Sequence, residues 1–159
     1  MRSLAAILLT MLWLGSPATA GAAAPEPSVA AMDHVAISVV DADKSAAFYR
    51  DLFGFRQVPA PVPMARWLVM ANGVMLHIVG NRHAPSPHSR WDYLALACAD
   101  LDALIARLDA RRIAWSDMEG GHVPQVRSDG VRQIFIQDPD GYWIEINDAA
   151  KRATAASPR

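Results

Sequence analysis

The chain has 159 residues, a formal net charge of -1 and 52% hydrophobic residues, so it holds one domain with tails and ample core material. Lys and Arg are scattered and no run resembles a basic arm, which gives no electrostatic footprint for nucleic acid. Cys98 is the single cysteine; no intramolecular disulfide is possible, and its apolar surroundings read as those of a buried structural thiol.

Arg2 supplies a positive start, Leu4 to Leu14 is almost wholly apolar, and Ala18-Thr19-Ala20 follows Gly15, Ser16 and Pro17. This pattern predicts a signal peptide over residues 1–24, cleaved near 20–24, and so an exported protein, periplasmic or secreted. An uncleaved anchor is the alternative, but the run is shorter than the ~20 residues a span needs. After cleavage no membrane association is expected. Residues 25–30 read as a linker, and residues 150–159 as a C-terminal tail.

Asp33 to Asp41 alternates apolar and polar residues and predicts a strand. Ala46, Ala47, Tyr49, Leu52 and Phe53 follow at helical spacing, with aspartate available as N-cap and Gly54 as the stop. Pro59 to Met64 reads as a loop. Arg66 to Val79 reads as a hairpin turning at Asn72-Gly73, where both positions tolerate positive φ. Asn81 to Arg90, with Pro85 and Pro87, reads as a connector. The series then repeats. Asp92 to Asp100 superimposes on Asp33 to Asp41, and Leu101, Leu104, Ile105 and Leu108 give a second helix. Gly120 to Val126 reads as a loop, and Arg132 to Ile146 as a hairpin turning at Asp140-Gly141. The chain is therefore two copies of strand, helix and strands, over about residues 31–81 and 91–149, within one domain at 31–149.

Under this repeat His34 is equivalent to Tyr93, and His77 to Glu145; the latter two each stand four residues beyond the turn glycine. A lone strand histidine is more often hydrogen-bonded or edge-exposed than a metal ligand. Here, however, polar side chains stand at symmetry-related places in apolar strands, and leaving such groups buried without partners costs several kcal/mol. One divalent ion (Zn, Ni, Co, Mn or Fe) would satisfy His34, His77 and Glu145 together. Arg66, Trp67, Arg127 and Gln133, in or before the hairpins, are candidate substrate contacts, with surface ion pairs or core packing as the plain alternative. His83, His88 and His122 lie in loop-like stretches and read as solvated.

The stretches DHVAISVVDADKSAAFYRDLFGF, VMLHIVG, YLALACADLDALIARLDARRI and GVRQIFIQDPDGYWIEIND resemble the vicinal oxygen chelate superfamily, which holds glyoxalases, bleomycin-resistance proteins and extradiol dioxygenases. The resemblance covers about residues 31 to 149, and D-P-D-G-x-x-I-E is its most specific part. It implies an α+β fold of two tandem βαβββ modules forming a curved mixed sheet around a metal pocket. It also implies His34, His77, Tyr93 and Glu145 as the ligand positions, with Glu145 as the catalytic base. Tyr93 departs from the usual histidine; a phenol ligates weakly, bonds a metal-bound water, or leaves a three-ligand site. The implied activity is lactoylglutathione-lyase-like lyase or isomerase chemistry on a small molecule with vicinal oxygens, in a possible homodimer. Small-molecule sequestration, extradiol cleavage and thiol transfer to an antibiotic are the alternatives. An export signal argues against glutathione, whose chemistry is chiefly cytosolic.

Overall fold

A computed structural model describes residues 31–151. The expected signal peptide, the linker at 25–30 and all but the first two residues of the tail lie outside the described residues. Among those described, no helix is long and apolar enough to cross a membrane.

The first half runs β1 (His34–Val39), α1 (Ala42–Phe53), β2 (Arg56–Val58), β3 (Ala65–Val69) and β4 (Met75–Gly80). The second runs β5 (Tyr93–Ala97), α2 (Leu101–Ala110), β6 (Trp115–Ser116), β7 (Gln125–Val126), β8 (Arg132–Gln137) and β9 (Trp143–Asn147). Each half makes its own mixed sheet with the same logic. The orders are β1-β4-β3-β2 and β5-β9-β8-β6, with β7 also on β8. In both, the first strand lies parallel to the last. This is the tandem βαβββ fold expected from the sequence, carried by two sheets, with no ladder between β1 and β5 among the described residues.

The helices start where aspartate can cap them. Asp41 accepts from the Asp43 and Lys44 amides at 3.0 Å, and Asp100 from the Ala103 amide at 2.9 Å. Gly54 ends α1 at φ 73°, whereas α2 ends at Arg111 with Arg112 in the left-handed region at φ 55°. One face of each sheet packs its helix. Ile37, Val39, Leu68, Leu76 and Ile78 do so in the first half; Ile134, Ile136, Ile144 and Ile146 do so in the second. By strand alternation, His34, Trp67, His77, Tyr93 and Glu145 fall on the opposite faces.

The turns differ from the expected two-residue type. Met70 pairs with Val74 around Ala71, Asn72 and Gly73, and Asp138 pairs with Tyr142 around Pro139, Asp140 and Gly141. Only the glycines take positive φ, at 87° and 89°; Asn72 and Asp140 do not. These are three-residue loops closed by a left-handed glycine. The same turn recurs at Gly130, between β7 and β8. There the segment expected as loop up to Val126 ends instead in a short strand, Gln125–Val126.

The Asp-Pro-Asp-Gly turn also fastens the halves together. Buried Asp138 accepts from the Tyr49 hydroxyl at 3.0 Å and from the Asp140 and Tyr142 amides at 2.9 Å. Buried Asp140 accepts from the Val40 amide at 2.8 Å and the Ser45 hydroxyl at 3.2 Å. The Tyr142 hydroxyl donates to the Ser38 carbonyl at 3.0 Å and accepts from the Ser38 amide at 3.2 Å. Arg107 of α2 and its C-cap Arg111 donate to the Leu52 and Asp51 carbonyls, capping the C-terminal end of α1 where cations are favoured. Burial pushes the Tyr49 hydroxyl well above its ordinary value, and Asp138 adds to the shift, so the phenol remains a donor.

Candidate functional site

The internal symmetry read from the sequence holds in three dimensions. His34 lies opposite Met75 and His77 opposite Ala36, which makes the two histidines diagonal neighbours on one sheet face. Tyr93 lies opposite Trp143 and Glu145 opposite Ala95, the same register in the second sheet.

On the first face three flat rings stack. Trp67 and His77 lie 4.2 Å apart at 6°, and His77 and His34 lie 4.1 Å apart at 17°. His34 Nδ1 hydrogen-bonds Asp33 Oδ2 at 2.6 Å. His77 is different: its Nε2 is buried and has no hydrogen-bond partner. Burial lowers the His77 pKa, and neighbouring His34 lowers it further, so the ring stays neutral and keeps a lone pair. An orphaned, neutral imidazole nitrogen beside a second histidine fits a metal ligand.

On the second face Glu145 is 2% exposed. Its Oε1 accepts from Asn147 Nδ2 at 2.7 Å and, more distantly, from Arg127 at 3.5 Å. Burial raises the Tyr93 pKa, and the charge of neighbouring Glu145 raises it further, so the phenol stays protonated beside the carboxylate. Phe135 packs edge-on against the Tyr93 ring at 5.4 Å. Gln133, almost fully buried, donates to Gln125 at 3.0 Å and shares this face.

His34 and His77 are thus brought together, and so are Tyr93 and Glu145, but the two pairs are not. Among the described residues no three His, Cys, Asp or Glu side chains are grouped to hold a metal ion. Arg127 reaches Glu145 while pairing with Asp129 at 3.0 Å. Trp67 touches His77 directly. Arg66 is elsewhere: opposite Ile78 on the helix-facing side, it pairs with Asp43 of α1 at 2.6 and 2.9 Å. That ion pair holds Asp43 below its ordinary value. His122 stacks on Trp115 and His88 on Tyr142. Burial raises the Cys98 thiol, in keeping with a packing role.

Two neighbours escaped the sequence reading. Asn147 stands two residues beyond Glu145, hence on the same strand face, which is the signal that would have found it. Asp33 directly precedes His34; the repeat aligns it with Asp92 but gives it no role at the site.

A family model described as Glyoxalase/Bleomycin resistance protein/Dioxygenase superfamily matches residues 31–146. No curated protein matches the chain. Among solved structures, the oxidase ChaP-H1 is similar at 25% identity and TM-score 0.61, covering 76% of this chain and 96% of its own. TnmS3, an antibiotic binding protein from Streptomyces sp. CB03234, is similar at 25% identity and TM-score 0.59, covering 77% and 98%. A lactoylglutathione lyase from Agrobacterium tumefaciens shares the fold at 20% identity and TM-score 0.59, covering 78% and 96%.

Proposed function

Since the chain belongs to the Glyoxalase/Bleomycin resistance protein/Dioxygenase superfamily, we propose that it is an exported, divalent-metal-dependent enzyme acting on a small molecule with vicinal oxygens. The chemistry is of the lactoylglutathione-lyase kind, a lyase or isomerase reaction, and the site is completed between two copies of the chain. His34 and His77 of one copy, with Glu145 of the other, would hold the ion. A homodimer is the economical way to join half-sites that one chain keeps apart. Export rests on the apolar run Leu4 to Leu14 and the Ala18-Thr19-Ala20 motif.

The observation that carries the reading is the buried His77 Nε2 without a partner. Such an atom costs stability in the free chain and gains a partner when an ion binds. When bound, a divalent ion supplies Lewis-acid stabilisation to an oxyanion on the substrate. The protein's own contribution is acid–base and positional. Glu145 is the carboxylate available as base; Asn147 orients it by donating to it at 2.7 Å, and the protonated Tyr93 phenol lies beside it. The Trp67 ring holds the plane of His77.

The test is metal content of the purified protein, compared between the parent and His77→Ala. The expected result is about one ion per chain in the parent and a loss of most of it in the variant. A parent without stoichiometric metal sinks the proposal. It would favour sequestration of a small molecule, a reading supported by the likeness to TnmS3 and by Glu145 already having internal partners.

A further inference from the structure

We propose that Asp33 is a positioning residue for the metal-binding histidine pair, fixing the tautomer in which His34 presents Nε2. The inference rests on the metal reading above and concerns a residue outside the ligand set. A carboxylate only accepts hydrogen bonds, so at 2.6 Å from Asp33 Oδ2 the proton must sit on His34 Nδ1. In the neutral ring that leaves the lone pair on Nε2. The ring plane is set separately, by the stack on His77, which is stacked in turn on Trp67. Two independent restraints therefore act on His34: the stack orients its plane, and Asp33 decides which nitrogen can ligate.

Exposure separates this role from a structural one. Asp33 is 81% exposed and His34 42% exposed. A pair so open to water adds little to folding. Removing an outer-shell carboxylate from a ligating histidine nevertheless costs about 10–100-fold in metal affinity. The Asp33 side chain has His34 as its hydrogen-bonded partner, so its replacement disturbs no packed network.

The experiment uses the whole mature protein with Zn²⁺ as probe. Competition titration against a chelator is run on the parent, Asp33→Asn and Asp33→Ala. Nitrogen-15 spectra of the imidazoles are recorded on the metal-free proteins. For Asp33→Ala the expected result is Zn²⁺ affinity weakened about 10–100-fold, His34 shifted from the Nδ1–H toward the Nε2–H form, and an unchanged melting temperature. Asp33→Asn, which keeps an acceptor oxygen without the charge, falls between parent and Asp33→Ala. Unchanged affinity in Asp33→Ala overturns the proposal, whether or not the tautomer moves. A parent that binds no Zn²⁺ defeats the functional reading instead; the tautomer spectra then decide alone whether Asp33 governs His34, and an unmoved tautomer overturns it.

Discussion

Asp138→Ala is expected to destabilise the fold by about 3 kcal/mol or more, because it strands three donors at about 1 kcal/mol or more each. The donors are the Tyr49 hydroxyl and the amides of Asp140 and Tyr142. For a domain of this size that is a drop in melting temperature on the order of 10 °C, read by calorimetry or circular dichroism. The effect is large because these bonds close the turn and pin it to α1 of the other half. Asp138→Asn keeps an acceptor for the two amides and should cost much less. The pair of variants also tests the electrostatics. Burial holds the Asp138 carboxyl above its ordinary value of 3.8, although all three donors pull the other way. The folded chain therefore binds this proton more tightly than the unfolded one. Its contribution is fully present below pH 3.8 and is lost as pH rises through the raised folded value. The parent should accordingly gain relative to Asp138→Asn as pH falls from about 7 to about 4. A constant difference would mean that the carboxyl is not perturbed.

Glu145→Gln is expected to remove turnover, by about 10²-fold or more, on any vicinal-oxygen substrate that the parent converts. The amide preserves volume and one acceptor oxygen, so the fold should survive. What it loses is basicity and the anionic ligand. Steady-state kinetics of the two proteins, with melting curves as control, make the check. Full activity in the variant would end the assignment of Glu145 as ligand and base. An enzyme that merely used Glu145 for packing would lose stability before it lost rate, since the side chain is 2% exposed and bonded to Asn147.

Much of the fold was legible because the chain says it twice. The match of Asp33–Asp41 with Asp92–Asp100 located both first strands and both helix caps. The glycine-anchored spacing of His77 and Glu145 located both last strands, and the structure gives them the same register. Finer features followed from physics that a linear pattern does not carry. Asn-Gly and Asp-Gly signal a turn, but loop length is set by ladder registry, so only the glycines became left-handed. A two-residue strand such as Gln125–Val126 is too short to show alternation. Asp138 and Asp140 read as turn residues alone, since their partners, Val40 just after β1 and Ser45 and Tyr49 on α1, lie about a hundred residues away. Arg66 read as a pocket residue, yet strand alternation together with Asp43 on α1 drew it to the helix side.

The same limit applies to the site. The sequence placed His34 with Tyr93 and His77 with Glu145 as equivalent pairs; the structure joins His34 to His77 and Tyr93 to Glu145, one pair per sheet. Symmetry names the members of a site without saying which copy supplies them. A mixture of two damaged chains answers that most directly. His77→Ala keeps Glu145, and Glu145→Gln keeps His77, so a mixed dimer regains one undamaged set only if the site is shared between copies. The chains are denatured, mixed in equal amounts and refolded, and bound metal is measured against each variant alone. We predict that metal binding reappears in the mixture, at about a quarter of the parent level for random pairing of shared sites. A mixture that binds no more than its two components, beside a parent that binds metal fully, would contradict the shared site.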